Sequence, residues 1–176
     1  MKTIVRMLGL TLAMAIGLAA QGWTQTADEL EEAGVAHYKK AYYEAVPKKN
    51  TAEAAAEFRE AETALCKAIK QNPERVSPYL HLGRTLFVQA KYQEAAKAYS
   101  DALKLDPENK PVYLQLASAQ EQAGDYAGAV GTLQLLQSKE TDPTALNKLD
   151  ELIGRLKARS APPGQQQPPS AKGGAK

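Results

Sequence analysis

A repeat of 34 residues constrains this chain more than any other feature. Tyr92 and Tyr126 stand 34 positions apart, as do Leu82 and Leu116, Ala95 and Ala129, and Tyr79 and Tyr113. Phe58, Ala61, Leu65, Ala68 and Pro73 precede Tyr92, Ala95, Tyr99, Ala102 and Pro107 by the same interval. Agreement at so many positions marks an array of like units, each too small to bury its own apolar faces and so bound to stack on its neighbours.

Within the best-formed unit two helices are predicted. Tyr79, Leu82, Leu86 and Phe87 follow three- and four-residue steps and share one face. A break follows at "QAKY", and Ala95, Tyr99 and Ala102 form a second stripe. Pro107 ends that helix, because proline cannot continue it, and Asp106 is placed to cap the next turn. Gly83 and Ala95 allow close helix approach, with Tyr99 and Leu82 filling the space beside them. The order Tyr79, Leu82, Gly83, Ala95, Tyr99, Ala102 and Pro107 resembles the tetratricopeptide repeat, with Leu86 where that family carries an aromatic. The next unit matches at Tyr113, Leu116, Ala129 and the turn Gly124 to Tyr126. It departs at Ala117 and Leu133, and Pro143 comes two residues late.

The first unit is irregular. Its second helix matches, but Ala33-Gly34 precede Leu82-Gly83 by 49 residues, 15 more than the repeat. The alanine- and glutamate-rich composition of "TAEAAAEFREAETALCKAIK" favours lengthened helices over a long loop. The expectation is one helix from Ala27 to Val46 and another from Thr51 to Asn72, turning at Pro47 to Asn50, so that a hairpin projects. At the other end, Asp142 before Pro143 is a helix start, and Leu146, Leu149, Ile153 and Leu156 make the apolar stripe of a capping helix. Lys157 and Arg159 lie at its negative end. The resemblance thus implies an all-α, right-handed α-solenoid of three hairpins, about 27–75, 76–109 and 110–142, closed by a capping helix at 143–159.

Both ends of the 176-residue chain read differently from the array. Lys2 and Arg6 precede an apolar or small-residue run from Met7 to Ala20, the layout of a cleaved export signal over residues 1–22, cut after Ala19 or Gly22. Its fourteen residues would span about 21 Å as a helix, less than a bilayer core of about 30 Å. The expected location is periplasmic or secreted. Without that segment Lys and Arg number 20 against 20 Asp and Glu, leaving no basic footprint for nucleic acid. One cysteine, Cys66, excludes an internal disulfide framework. Residues 160–176, rich in Pro, Gln and Gly, lack large apolar residues and are expected to form a disordered tail.

The chain offers little for catalysis. His37 and His81 lie in different units with no acid spaced along the sequence to orient either, and Cys66 reads as a small residue at a helix contact. Glu29, Glu31, Glu32, Glu57, Glu60 and Glu62 read as solubilising faces. There is no phosphate-binding glycine loop and no zinc spacing, so neither cofactor nor metal is expected. What the resemblance implies instead is a concave groove lined by the first helices. Its lining would be Val35, Tyr38, Leu80, Arg84, Phe87, Val88, Leu114, Ser118 and Glu121, with Leu80 and Phe87 equally readable as inter-repeat core. The C-terminal-carboxylate clamp of some family members needs Lys, Asn and Arg at positions held here by Glu31, Val35, His81, Pro111 and Gln115, so that clamp is absent. The reading is an exported, non-catalytic scaffold that binds a peptide or partner helix, serving envelope assembly or secretion. A homodimer through the groove or the first hairpin is the alternative, and a hydrolase is the weakest reading.

Overall fold

The computed structural model describes residues 25–160. The export signal at 1–22 and the tail beyond Ser160 lie outside the described residues. Within them the chain is helical throughout: α1 (Ala27–Lys39), continued by a π-helical segment (Lys40–Ala45), α2 (Thr51–Gln71), α3 (Val76–Val88), α4 (Tyr92–Leu105), α5 (Lys110–Gln122), α6 (Tyr126–Lys139) and α7 (Pro143–Ser160). Each helix packs on the next in chain order. Short links force antiparallel neighbours, so α1, α3, α5 and α7 run one way and α2, α4 and α6 the other. The result is an all-α solenoid.

Local chemistry explains the boundaries. Thr26 and Glu29 form a reciprocal capping box, each side chain bonding the other's backbone N–H, at 3.2 and 2.8 Å. Pro47 lies just past the π-helical segment and prevents its continuation. Asn50 then caps α2 by accepting from the Glu53 N–H. Asp142 accepts from the Thr144 and Ala145 N–H groups at the start of α7. Asp106 departs from expectation: it ends α4, and its carboxylate accepts from the Asn109 side chain, 2.9 Å away, rather than from a backbone N–H of the next helix.

The repeat extends below the level of side-chain type. Tyr79 Oη donates to the Pro73 carbonyl at 3.1 Å, and Tyr113 Oη to the Pro107 carbonyl at 2.9 Å, the same bond one repeat later. Ala90 and Gly124 are likewise 34 apart, and both take positive φ, 59° and 81°. After each, a backbone N–H closes the helix end: Lys91 to the Leu86 carbonyl, Asp125 to the Gln120 carbonyl. Glycine takes that conformation freely and alanine does not.

Three clusters make the core. Ala41, Ala45, Ala54 and Phe58 hold the first hairpin's extension; Leu86, Ala95, Ala98, Tyr99, Ala102, Val112, Leu116 and Ala119 the centre; Tyr113, Ala117, Ala129, Leu133 and Leu136 join Leu149, Ile153 and Leu156 of α7. Gly83 faces the Tyr99 ring so closely that a Cβ there would lie 2.6 Å from Cε1. In the next unit the equivalent pair is Ala117 and Leu133, a slimmer partner leaving room for a methyl. Cys66 is exposed rather than enclosed, and lines a hollow with Tyr79 and Leu82 of α3 and Ala98 of α4; desolvation, with the charge of Glu62, pushes the thiol's pKa up.

Candidate functional site

The concave face is built from α1, α3 and α5, and the nine residues placed there by sequence divide into groups. Phe87, Leu114 and Ser118 come together around a hollow of about 250 Å³, joined by Tyr99 and Gln115. Leu114 is 46 % exposed. Phe87 is half-buried, packs on the central core and meets Tyr92 edge-on at 5.3 Å between ring centroids. Leu80 also packs on that core. Arg84, between them on α3, is exposed and forms no ion pair among the described residues. Its positive charge lowers the pKa of Tyr38 and Tyr99, against the larger upward effect of their burial, and adds to the lowering at His81.

Tyr38 and Val88 belong with the hairpin extension, packed on the Ala41, Ala45, Ala54 and Phe58 cluster. Val35 lines a separate, wider hollow of about 640 Å³ with Asp28, Glu31, Glu32, Lys39 and Arg75. Glu121 is not an open polar handle, because Arg159 of α7 donates to its carboxylate at 2.6 Å while lying over the Tyr126 ring. Sequence reasoning treated Tyr99 as pure stacking and Gln115 only as a failed clamp position; both line the hollow with Phe87.

Of the acids expected to be solubilising, Glu29 serves the α1 capping box and Glu62 accepts from Lys91 at 2.7 Å, and two more are tied into helix junctions. Glu31 is buried in the groove wall, where it accepts from Ser77 Oγ and pairs with Arg75, Nη2 to Oε2 being 3.1 Å. That pair lies within charge-pairing range but is not aligned as a hydrogen bond, leaving Oε2 under-satisfied. His81 Nε2 lies 3.8 Å from Oε1 of the same carboxylate, and Arg75 also bridges to Asp28. Burial lowers the His81 pKa, Glu31 partly offsets this, and Arg84 and Lys39 lower it further. Glu57 accepts from His37 Nδ1 at 2.6 Å and from Lys40 Nζ at 2.5 Å, and these bonds hold its pKa below the usual carboxylate value. Both histidines therefore do have carboxylate partners, supplied by other helices and invisible to spacing along one. Each pair ties two helices together, His37 of α1 to Glu57 of α2 and His81 of α3 to Glu31 of α1.

Stacked helix hairpins with a concave face of this kind define a repeat solenoid. Two tetratricopeptide repeat profiles match the chain, at residues 50–110 and 86–152, and it belongs to the tetratricopeptide repeat family. No curated protein sequence matches it. Among solved structures, the TPR2B domain of yeast Sti1 in complex with pHsp70 superposes with a TM-score of 0.55 at 22% identity, over 74% of this chain and 95% of that one. The Yersinia enterocolitica type III secretion chaperone SycD, with a peptide of the translocator YopD, gives 0.56 at 16%, over 76% and 96%. The yeast Sti1 TPR2AB domain with pHsp90 gives 0.57 at 20%, and there this chain spans only 56% of its length. At such identities the likeness is one of fold.

Proposed function

We propose that this protein is a non-catalytic scaffold that holds an apolar-anchored peptide or partner helix in the groove between α3 and α5. The observation that carries this is the hollow lined by Phe87, Tyr99, Leu114, Gln115 and Ser118, where a leucine is left exposed. A cavity of this size accepts one aliphatic or aromatic side chain, and Gln115 and Ser118 in its wall can hydrogen-bond the polar backbone beside that anchor. Proteins of similar fold, the Sti1 TPR2B domain in its pHsp70 complex and SycD with a YopD peptide, support peptide capture as the use of this face. Glu31, Val35, His81, Pro111 and Gln115, standing at positions where a carboxylate clamp draws on Lys, Asn and Arg, argue against that clamp's ligands. The basic start and apolar run of residues 1–22 support action outside the cytoplasm, and envelope assembly or secretion fits both compartment and family. Intact mass of protein recovered from the envelope tests this, since it is expected to begin after Ala19 or Gly22.

The decisive experiment is selection of peptides from a displayed library against the full chain, followed by affinity measurement on Leu114→Glu. Leu114 is the right position because its exposure spares the fold, whereas Phe87→Glu would also strike the core. Selected peptides are expected to share one apolar anchor and to lose at least about tenfold in affinity, the scale of burying one aliphatic group. Peptides that bind Leu114→Glu and Phe87→Ala as well as wild type would refute the groove reading. Light scattering addresses the homodimer: a mass that stays monomeric over a hundredfold range of concentration removes it.

A further inference from the structure

The first hairpin ends in a knob that stands clear of the array. Counted from the glycines that face Leu65 and Tyr99, α3 stops five residues past Gly83, whereas α1 and its π-helical continuation run eleven past Gly34. The six extra residues, at about 1.5 Å each, carry the hairpin about 9 Å further. Six large apolar side chains are exposed among the described residues, and three of them, Tyr42, Tyr43 and Val46, fall within this one turn. The other three, Leu105, Leu114 and Leu135, stand on three different helices. Ala41 and Ala45 turn inward to Ala54 and Phe58, so positions 42, 43 and 46 face away from α2. Tyr42 stacks on Tyr38 at 5.7 Å with planes 8° apart, and Tyr43 meets Tyr42 edge-on at 5.1 Å, which makes the rings one continuous surface.

The charges around the rings are sorted. Lys48 and Lys49 lie exposed in the turn after Pro47, and neither joins an ion pair among the described residues. The acids of the extension serve Lys40 instead: Glu57 lies 2.5 Å and Glu53 3.9 Å from its Nζ, and the charge of Glu44 also raises its pKa. Two unpaired lysines are therefore left at the turn, beside two exposed tyrosines. The headgroup layer of an anionic bilayer takes that combination. A tyrosine sinks its ring to the acyl boundary and keeps its hydroxyl in water, while an ammonium on a flexible stem meets phosphate. A projecting knob offers a partner's side chain no hollow to enter, whereas a bilayer yields around it. A second copy docked about a two-fold axis would set the same lysines against each other. No described helix is long and apolar enough to cross a membrane, so the contact made by these residues is peripheral.

We propose that Tyr42, Tyr43 and Val46, with Lys48 and Lys49, dock this protein reversibly on an anionic lipid surface. The hollow at Leu114 shares none of these residues, so lipid and peptide bind independently.

A fluorophore on the knob of the full chain tests it. Val46→Cys in a Cys66→Ser background is labelled with bimane and titrated with vesicles of phosphatidylcholine and phosphatidylglycerol in equal parts. The emission is expected to shift to the blue and to be quenched by lipids spin-labelled at the headgroup. Each lysine near such a surface is worth about fivefold in binding, so Lys48→Glu/Lys49→Glu should weaken the titration at least about tenfold, as should high salt. Tyr42→Ser/Tyr43→Ser should weaken it several-fold, with the fold checked by circular dichroism. No shift, an equal shift with phosphatidylcholine alone, or a shift indifferent to both sets of substitutions overturns the proposal. So does a shift that grows with protein concentration in the absence of lipid, which marks a second copy. A shift given by polyglutamate and not by vesicles makes the partner an acidic protein segment and overturns it too. Leu114→Glu is expected to leave the lipid titration at wild type while peptide binding is lost, so the failure of either reading shows apart from the other.

Discussion

In the central hairpin, α3 and α4 meet through Gly83 against the Tyr99 ring; in the first, α1 and α2 meet through Gly34 against Leu65 and then run on past the array. The shared part uses a glycine to let one large side chain lie flat on the facing backbone; the partners Leu65 and Tyr99 keep the 34-residue period, while Gly34 and Gly83 stand 49 apart because the first hairpin is lengthened. From the neighbouring unit the extension receives Val88. It closes on alanines at 41, 45 and 54, on one phenylalanine, and on the Glu57 ties to His37 and Lys40. The contrast shows that stacking supplies most of the burial, and that a hairpin beyond the stack must use small residues and charge pairs.

The comparison can be broken most strongly at Phe58, the one large side chain fully enclosed by the extension. Phe58→Ala is expected to cost about 3–4 kcal/mol, felt locally. Hydrogen exchange should quicken across Lys40–Ala54 while α4 to α6 keep their protection, and uniform loss across the array would show that the extension is not a separate unit.

Next in size, Gly83→Ala forces a methyl into the Tyr99 ring and is expected to lower stability by about 2 kcal/mol despite better helix propensity. The third unit already shows the compensated pair, Ala117 with Leu133. The double variant Gly83→Ala/Tyr99→Leu should therefore be no less stable than Tyr99→Leu alone, a coupling that a double-mutant cycle in urea measures directly.

Acid and alkali should separate the two hairpins. His81, at the junction of α1 and α3, has its pKa lowered by burial, so the unfolded chain binds more protons and stability falls as pH drops below the ordinary value of 6.5. Glu57, held down by His37 and Lys40, extends that loss below 4.5. Tyr99 is pushed up to about 12 by burial, so the central hairpin loses stability as pH rises above 10. Melting temperature against pH should show both limbs, with His81→Gln flattening the first and Tyr99→Phe the second.

The smallest effect expected is a gain. Ala90 holds the left-handed position that Gly124 fills one repeat later, so Ala90→Gly should stabilise by about 0.5–1 kcal/mol, read as a rise in melting temperature of a few degrees. A fall would mean that the two turns are not equivalent.

The architecture was legible because its causes are local and repeated. Tyr79, Leu82, Gly83, Ala95 and Tyr99 recur in type at fixed spacing, and stacking depends on size and period, which a sequence displays directly. The surplus of 15 residues before α3 likewise announced a longer hairpin. What only the folded chain decided depends on helices far apart in sequence. Glu31 and Glu57 read as solvated acids until Arg75, Ser77 and His81, or His37 and Lys40, were brought to them across a helix interface. Glu121 was taken up by Arg159, 38 residues away, and the hollow at Leu114 exists only because Tyr99 and Gln115 close two of its sides. Periodicity along a helix tells which residues share a face. Which charges and cavities that face acquires is decided by the side chains that tertiary packing places opposite it.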